Sequence, residues 1–166
     1  MSMLRADDAL LSEITLQSGR APELVPGTTC VRPAYSAVMP SRIAQVAIDA
    51  EQPQVIAEFW CAVLGWVVHD IEDDIVWCIG PADGSWPGID VGPTPDAKSG
   101  KNRLHLDLRA DGVSTEKELE RLLALGARKV GIGQDADVSW TVLADPEGNE
   151  FCLLKSTVQE LQASLG

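Results

Sequence analysis

The chain has 166 residues, 45% apolar and 23% charged, which suits one sizeable hydrophobic core and excludes a disordered or fibrous class. Its formal charge of −12 excludes partners that need clustered Lys and Arg, so neither a nucleic acid nor an anionic membrane surface is expected. Four cysteines, Cys30, Cys61, Cys78 and Cys152, stand far apart without a CxxC pair and read as free thiols of a reducing compartment.

Arg5, Asp7 and Asp8 interrupt the N-terminus where a signal peptide would turn apolar, and no run is long enough to span a membrane. A cytoplasmic location is therefore expected. Residues 1–40 form a separate region. Asp7 or Asp8 can cap a short helix carrying Leu10, Leu11 and Ile14, after which Pro22, Pro26, Gly27, Pro33 and Pro40 break any regular structure. The segment reads as an N-terminal arm.

From Arg42 the pattern becomes regular. Ile43–Ile48 reads as a strand, and Pro53 opens a helix whose stripe is Val55, Ile56, Phe59, Trp60, Val63 and Leu64, closed by Gly65. Three further strands follow at Trp66–His69, Ile75–Ile79 and Gly88–Val91, with a loop over Gly92–Gly100. Arg103–Arg109 reads as the next strand. Ser114 or Thr115 caps a second helix, Thr115 with Glu118 fitting a capping box, and Leu119, Leu122 and Leu123 form its buried stripe up to Gly126. Arg128–Ile132 is a strand. Ser139–Leu154 is a hairpin around Asp145-Pro146-Glu147-Gly148-Asn149, and Thr157–Leu165 a short tail helix.

The two halves repeat one order: strand, helix, three strands. Ala50 matches Ala110, Leu64 matches Leu125, Trp77 matches Trp140 and Gly84 matches Gly148, a separation that grows from 60 to 64 residues. The expected fold is α+β, with two βαβββ modules forming a curved mixed sheet around a cleft. The expected division is an arm at 1–40, a domain at 41–156 made of modules 41–98 and 99–156, and a tail helix at 157–166.

These paired modules, the segment Leu104-His105-Leu106-Asp107-Leu108 and the ending ADPEGNEFCLL resemble the glyoxalase-like domains of the vicinal oxygen chelate superfamily. The resemblance covers about residues 42–155. It implies a small-molecule ligand in the cleft, a homodimer, and a divalent metal ion as the candidate cofactor. Carried over by position, the metal candidates are Gln45, His105 and either Gly88 or Asp90, and Cys152 stands where a carboxylate ligand would be. With only two histidines in the chain, a site of two His and one carboxylate is not expected. His69, at the end of its strand, reads as lying away from the ligand positions.

His105 and Asp107 share a face opposite Leu104, Leu106 and Leu108 and are expected to line the cleft. Trp77 and Trp140 are flat side chains suited to stacking on a ligand, and Glu150 is the candidate acid or base. The resemblance then implies a metal-assisted lyase or isomerase acting on an α-oxygenated substrate. The alternative is a metal-free protein that sequesters a drug or metabolite, and a third reading is an accessory domain acting through its arm.

Overall fold

The computed structural model describes residues 41–131, 133 and 138–166, which fall in the unit Ser41–Gly166. The expected arm at 1–40 and part of the strand proposed to reach Ile132 lie outside the described residues.

Alternating apolar residues give the first strand, β1 (Gln45–Ala50), whose Val46, Ile48 and Ala50 turn inward. Helix α1 (Pro53–Leu64) follows with Pro at its start and stops at Gly65, whose φ of 67° is cheap only for a residue without a Cβ. Its stripe buries Ile56, Ala57, Phe59, Trp60 and Val63. Strands β2 (Val67–Glu72), β3 (Val76–Gly80) and β4 (Gly88–Pro93) complete the first module. The sheet order is β1-β4-β3-β2, with β1 parallel to β4 and the other pairs antiparallel.

The second module repeats this order with β5 (Asp107–Leu108), α2 (Thr115–Ala124), β6 (Arg128–Lys129), β7 (Trp140–Ala144) and β8 (Glu150–Leu154), arranged β5-β8-β7-β6. The fold is α+β, with a four-stranded mixed sheet in each module and a closing helix α3 (Val158–Leu165). Thr157 and Glu160 form a complete capping box at the start of α3.

Both modules feed one core. Phe59 and Trp60 of α1 meet Phe151 of β8 in edge-on contacts, with ring centroids 5.2–6.1 Å apart. Helix α1 is also held at both ends by the second module. It carries no acidic residue in its first turn and no basic residue in its last. Instead the half-buried Glu147, in the β7–β8 turn, accepts hydrogen bonds from the backbone N–H groups of Glu51 (2.9 Å) and Gln52 (2.7 Å). At the other end Arg121 of α2 donates to the carbonyls of Ala62 (2.9 Å) and Val63 (2.7 Å). An anion at the N-terminus and a cation at the C-terminus both oppose the helix dipole favourably.

The turn that supplies Glu147 is rigid for a clear reason. Asp145 is fully buried, and its carboxylate accepts from the backbone N–H groups of Glu147 and Asn149 and from Asn149 Nδ2. Gly148 takes a φ of 96°.

Three local expectations are corrected. The strand expected over Arg103–Arg109 is laddered only at Asp107–Leu108, because Leu104 is 89% exposed and the N–H of Asn102 bonds to the Glu150 carboxylate instead of a strand. Helix α2 is capped by Ser114, not by a box at Thr115. Glu118 pairs with Arg121, and Thr115 Oγ1 donates to Lys155 O. Of the expected stripe, Leu122 is buried and Leu119 packs on the core, while Leu123 is 38% exposed.

The repeat register also shifts by one residue at the tryptophans. Asp90 lies between Ala47 and Cys78, as Cys152 lies between Asp107 and Val142. Gln45 therefore corresponds to His105, Ala47 to Asp107 and Cys78 to Val142. Trp77 corresponds to Thr141 and not to Trp140, so the two tryptophans lie on opposite faces of their sheets.

Candidate functional site

Within each module the residues facing away from the helices come from alternate positions of the four strands. In the first module these are Gln45 and Asp90, whose side chains hydrogen-bond to each other, and Cys78 beside Asp90. Burial, then the charge and hydrogen bond of Asp90, push the Cys78 thiol up to about 11. Between the alternatives Gly88 and Asp90, Asp90 offers the side chain. A Cβ at Gly88 would sit 3.0 Å from the carbonyl of Ile79, so that position has no room for a ligand group.

His69 lines the same cavity of about 230 Å³ as Gln45 and Asp90, contrary to its expected remoteness. A β-bulge between Val68 and Asp70 is the reason, since it puts an extra residue in the strand and re-aims its side chain. The His69 ring bonds to the carbonyl of Pro81 at 2.9 Å, so its Nε2 carries a proton. Nothing in the alternation of residues 66–72 signals that bulge.

The second module gathers His105, Asp107, Trp140, Glu150 and Cys152 around a cavity of about 270 Å³. His105 Nδ1 lies 2.9 Å from Asp107 Oδ1, which fixes the proton on Nδ1 in the neutral ring and leaves Nε2 as the basic nitrogen. Asp107 is the register partner of Cys152, and the N–H of Cys152 bonds to Leu106 O at 2.9 Å. The Cys152 thiol is buried and is pushed up to about 11, first by desolvation and then by Asp107. Trp140 is 36% exposed at the rim.

Glu150 is already occupied. Its carboxylate takes Lys98 Nζ at 3.0 Å and the Asn102 N–H at 3.0 Å. Desolvation alone would raise its pKa, but these bonds outweigh it and the net shift is downward. That makes Glu150 a poor proton donor at neutral pH and a weak base. Trp77 is apart from all of these groups. It packs against the core and lines a depression with Pro53 and Val55 on the helix side.

A larger cavity of about 520 Å³ opens between the modules, with β1 residues Val46–Asp49 on one side and Asn102, Leu104, His105 and Leu106 with Asn149–Phe151 on the other. Trp60 lines it. The Trp60 Nε1 donor is buried and has no hydrogen-bond partner among the described residues. His105 and Glu150 line both this cavity and the smaller one beside it, so the two adjoin.

The fold is that of a known family. The family model described as glyoxalase-like domain matches residues 45–154, and the chain belongs to that family. Among solved structures, a glyoxalase/bleomycin resistance protein/dioxygenase family enzyme from Burkholderia phytofirmans aligns with a TM-score of 0.52 at 19% identity, covering 68% of this chain and 97% of that one. The fosfomycin resistance protein FosX from Mesorhizobium loti aligns with a TM-score of 0.55 at 13% identity, covering 75% and 99%. A point variant of Listeria monocytogenes FosX, solved with Mn(II) and 1S,2S-dihydroxypropylphosphonic acid, gives 0.55 at 13% identity, covering 77% and 100%. No curated protein matches the chain. At these identities the solved structures establish the fold alone.

The donor set accommodates a divalent ion. Ligand atoms of His105, Asp107 and Cys152 all lie within 4.8 Å of one another, the one such trio of His, Cys and acidic residues among the described residues. Gln45 and Asp90 are satisfied by each other and line a different cavity from His105.

Proposed function

We propose that this protein binds a small organic molecule in the cavity between its two modules. The observation that carries this reading is the cavity itself. It has the size of small-molecule sites, which run to roughly 300–1,000 Å³, and its volume is about 520 Å³. Its walls are largely apolar in area, and among their polar groups are Asp49, His105, Asn102, Glu150 and the unpartnered Trp60 indole N–H. A buried donor without a partner costs on the order of 1–3 kcal/mol. A ligand oxygen placed against Trp60 would recover that cost and would orient the molecule.

The chemistry we assign to the site is that of a lyase or isomerase acting on an α-oxygenated substrate. A divalent ion at the second module would supply electrophilic stabilisation of a developing oxyanion. The chain's own residues would do the rest. Without the ion Asp107 fixes the His105 tautomer; Trp140 stands at the rim, and the Asn102 N–H and Lys98 keep Glu150 ionised, so any proton donor must be a group other than Glu150. We further expect a homodimer.

The largely apolar walls favour a second reading, a sequestering protein that binds without turnover. Solution NMR of the metal-free protein against a panel of small α-hydroxy, α-keto and aromatic compounds tests the binding reading common to both. Shifts should cluster at Val46–Asp49 and Asn102–Leu106. Binders whose shifts map elsewhere, or a panel with no binder, would overturn it. Consumption of a bound compound then separates enzyme from sequestering protein.

A further inference from the structure

We propose that His105, Asp107 and Cys152 form a thiolate-containing metal site of the zinc class, built entirely within the second module. It keeps His105 and Cys152, which stand at ligand positions that family resemblance marks, and replaces Gln45 and Asp90 with Asp107; it stands independently of what the larger cavity binds. The three residues are placed by the sheet rather than by loops. Asp107 and Cys152 face each other across neighbouring parallel strands, and His105 precedes Asp107 by two residues on the same side.

Zinc bonds of about 2.0–2.3 Å put tetrahedral ligand atoms roughly 3.5 Å apart. The trio lies within 4.8 Å, so side-chain rotations that shorten the longest separation by up to about 1.3 Å close the site. Three protein ligands leave one position, and the adjoining cavity of about 270 Å³ gives that position access.

Donor softness decides the metal. A thiolate with an imidazole and one carboxylate selects Zn(II) or Co(II) over the hard, oxygen-preferring Mn(II). The first module is an internal control. Its residues at the three corresponding positions are Gln45, Ala47 and Asp90, with no imidazole and no thiolate among them. On binding, His105 would ligate through Nδ1, giving up its hydrogen bond to Asp107 as the ring proton moves to Nε2. Cys152–SH becomes the metal thiolate and releases its one proton to solvent, with no redox change.

The test is a Co(II) titration of the full chain, purified without chelator, with no organic ligand present. The expected result is one ion per chain, a thiolate-to-cobalt charge-transfer band in the near ultraviolet, and displacement of that band by Zn(II) but not by Mn(II). Cys152→Ser should abolish the band while Cys78→Ser keeps it. His105→Ala should weaken binding beyond the roughly 10–100-fold typical of losing an outer-shell partner.

A second readout needs no variant. Bound Zn(II) should protect Cys152, and not Cys61 or Cys78, from alkylation mapped by mass spectrometry. No uptake of either ion by folded protein, uptake without the band, or a band that survives Cys152→Ser would each overturn the assignment. Ligand shifts measured on metal-free protein address the cavity separately, so failure of one reading leaves the other standing.

Discussion

Replacing Glu147 tests whether the second module really secures the first helix. In Glu147→Ala the N–H groups of Glu51 and Gln52 lose a shared carboxylate acceptor at 2.9 and 2.7 Å. Loss of an N-terminal cap costs about 0.5–2 kcal/mol, and hydrogen bonds to a charged group reach about 1.5–3 kcal/mol. Glu147 is only half-buried, so water can rehydrate both donors, and the expected net loss is about 1–2 kcal/mol. For a domain of this size that is a fall of about 4–8 °C in Tm.

Glu147→Gln keeps an acceptor and removes the charge. It should lose only the helix-dipole part, about 0.3–1 kcal/mol, and the difference from wild type should shrink in 1 M salt, where the Debye length is about 3 Å. Urea unfolding followed by circular dichroism measures each value. Hydrogen exchange at Glu51 and Gln52 shows whether the loss is at the helix start. A loss for Glu147→Ala inside the ±0.5 kcal/mol of an ordinary surface substitution would refute the reasoning.

Other expectations follow from the same geometry. Arg121→Ala removes the two bonds to Ala62 and Val63 and should cost about 1–2 kcal/mol. Its effect should add to that of Glu147→Ala in a double variant, because the helix ends are about 18 Å apart. Cys78 and Cys152, both raised to about 11, should alkylate far more slowly at pH 8 than a free thiol. A raised folded pKa means that the native state keeps protons the unfolded chain gives up. Stability should therefore fall as pH rises from about 9 towards 11, read by unfolding at fixed urea.

Ligand binding should change the fluorescence of Trp60, and Trp77→Phe should keep that change and lower Tm, since Trp77 packs on the core. Lys98→Ala should raise the lowered pKa of Glu150, measured by carboxyl NMR titration. The stability Glu150 contributes is present above its ordinary carboxylate range and lost as pH falls through the folded value, so the variant should be less sensitive to acid.

The sequence by itself determined the elements and their repetition. The first-strand pattern, the α1 stripe closed by Gly65 and the Asp-Pro-Glu-Gly-Asn turn are local; α1 and the hairpin formed where their patterns lay, and β1 formed two residues beyond the expected Ile43–Ile48. Gln45, His105 and Asp90 came from the family resemblance, whereas strand alternation by itself put only His105 and Asp107 on one face. Only the tertiary structure decided how those residues combine. A bulge in β2 brings His69 beside Gln45 and Asp90, and a one-residue offset between the repeats turns Trp77 away from the site that Trp140 lines. Both are register effects, and a shift of one residue reverses every side chain on a strand. Glu147 and Arg121 secure a helix about 60 to 95 residues away in the chain, a pairing no local pattern carries. The hairpin turn was readable from its own residues; that its glutamate caps α1 depends on two modules packed around one core.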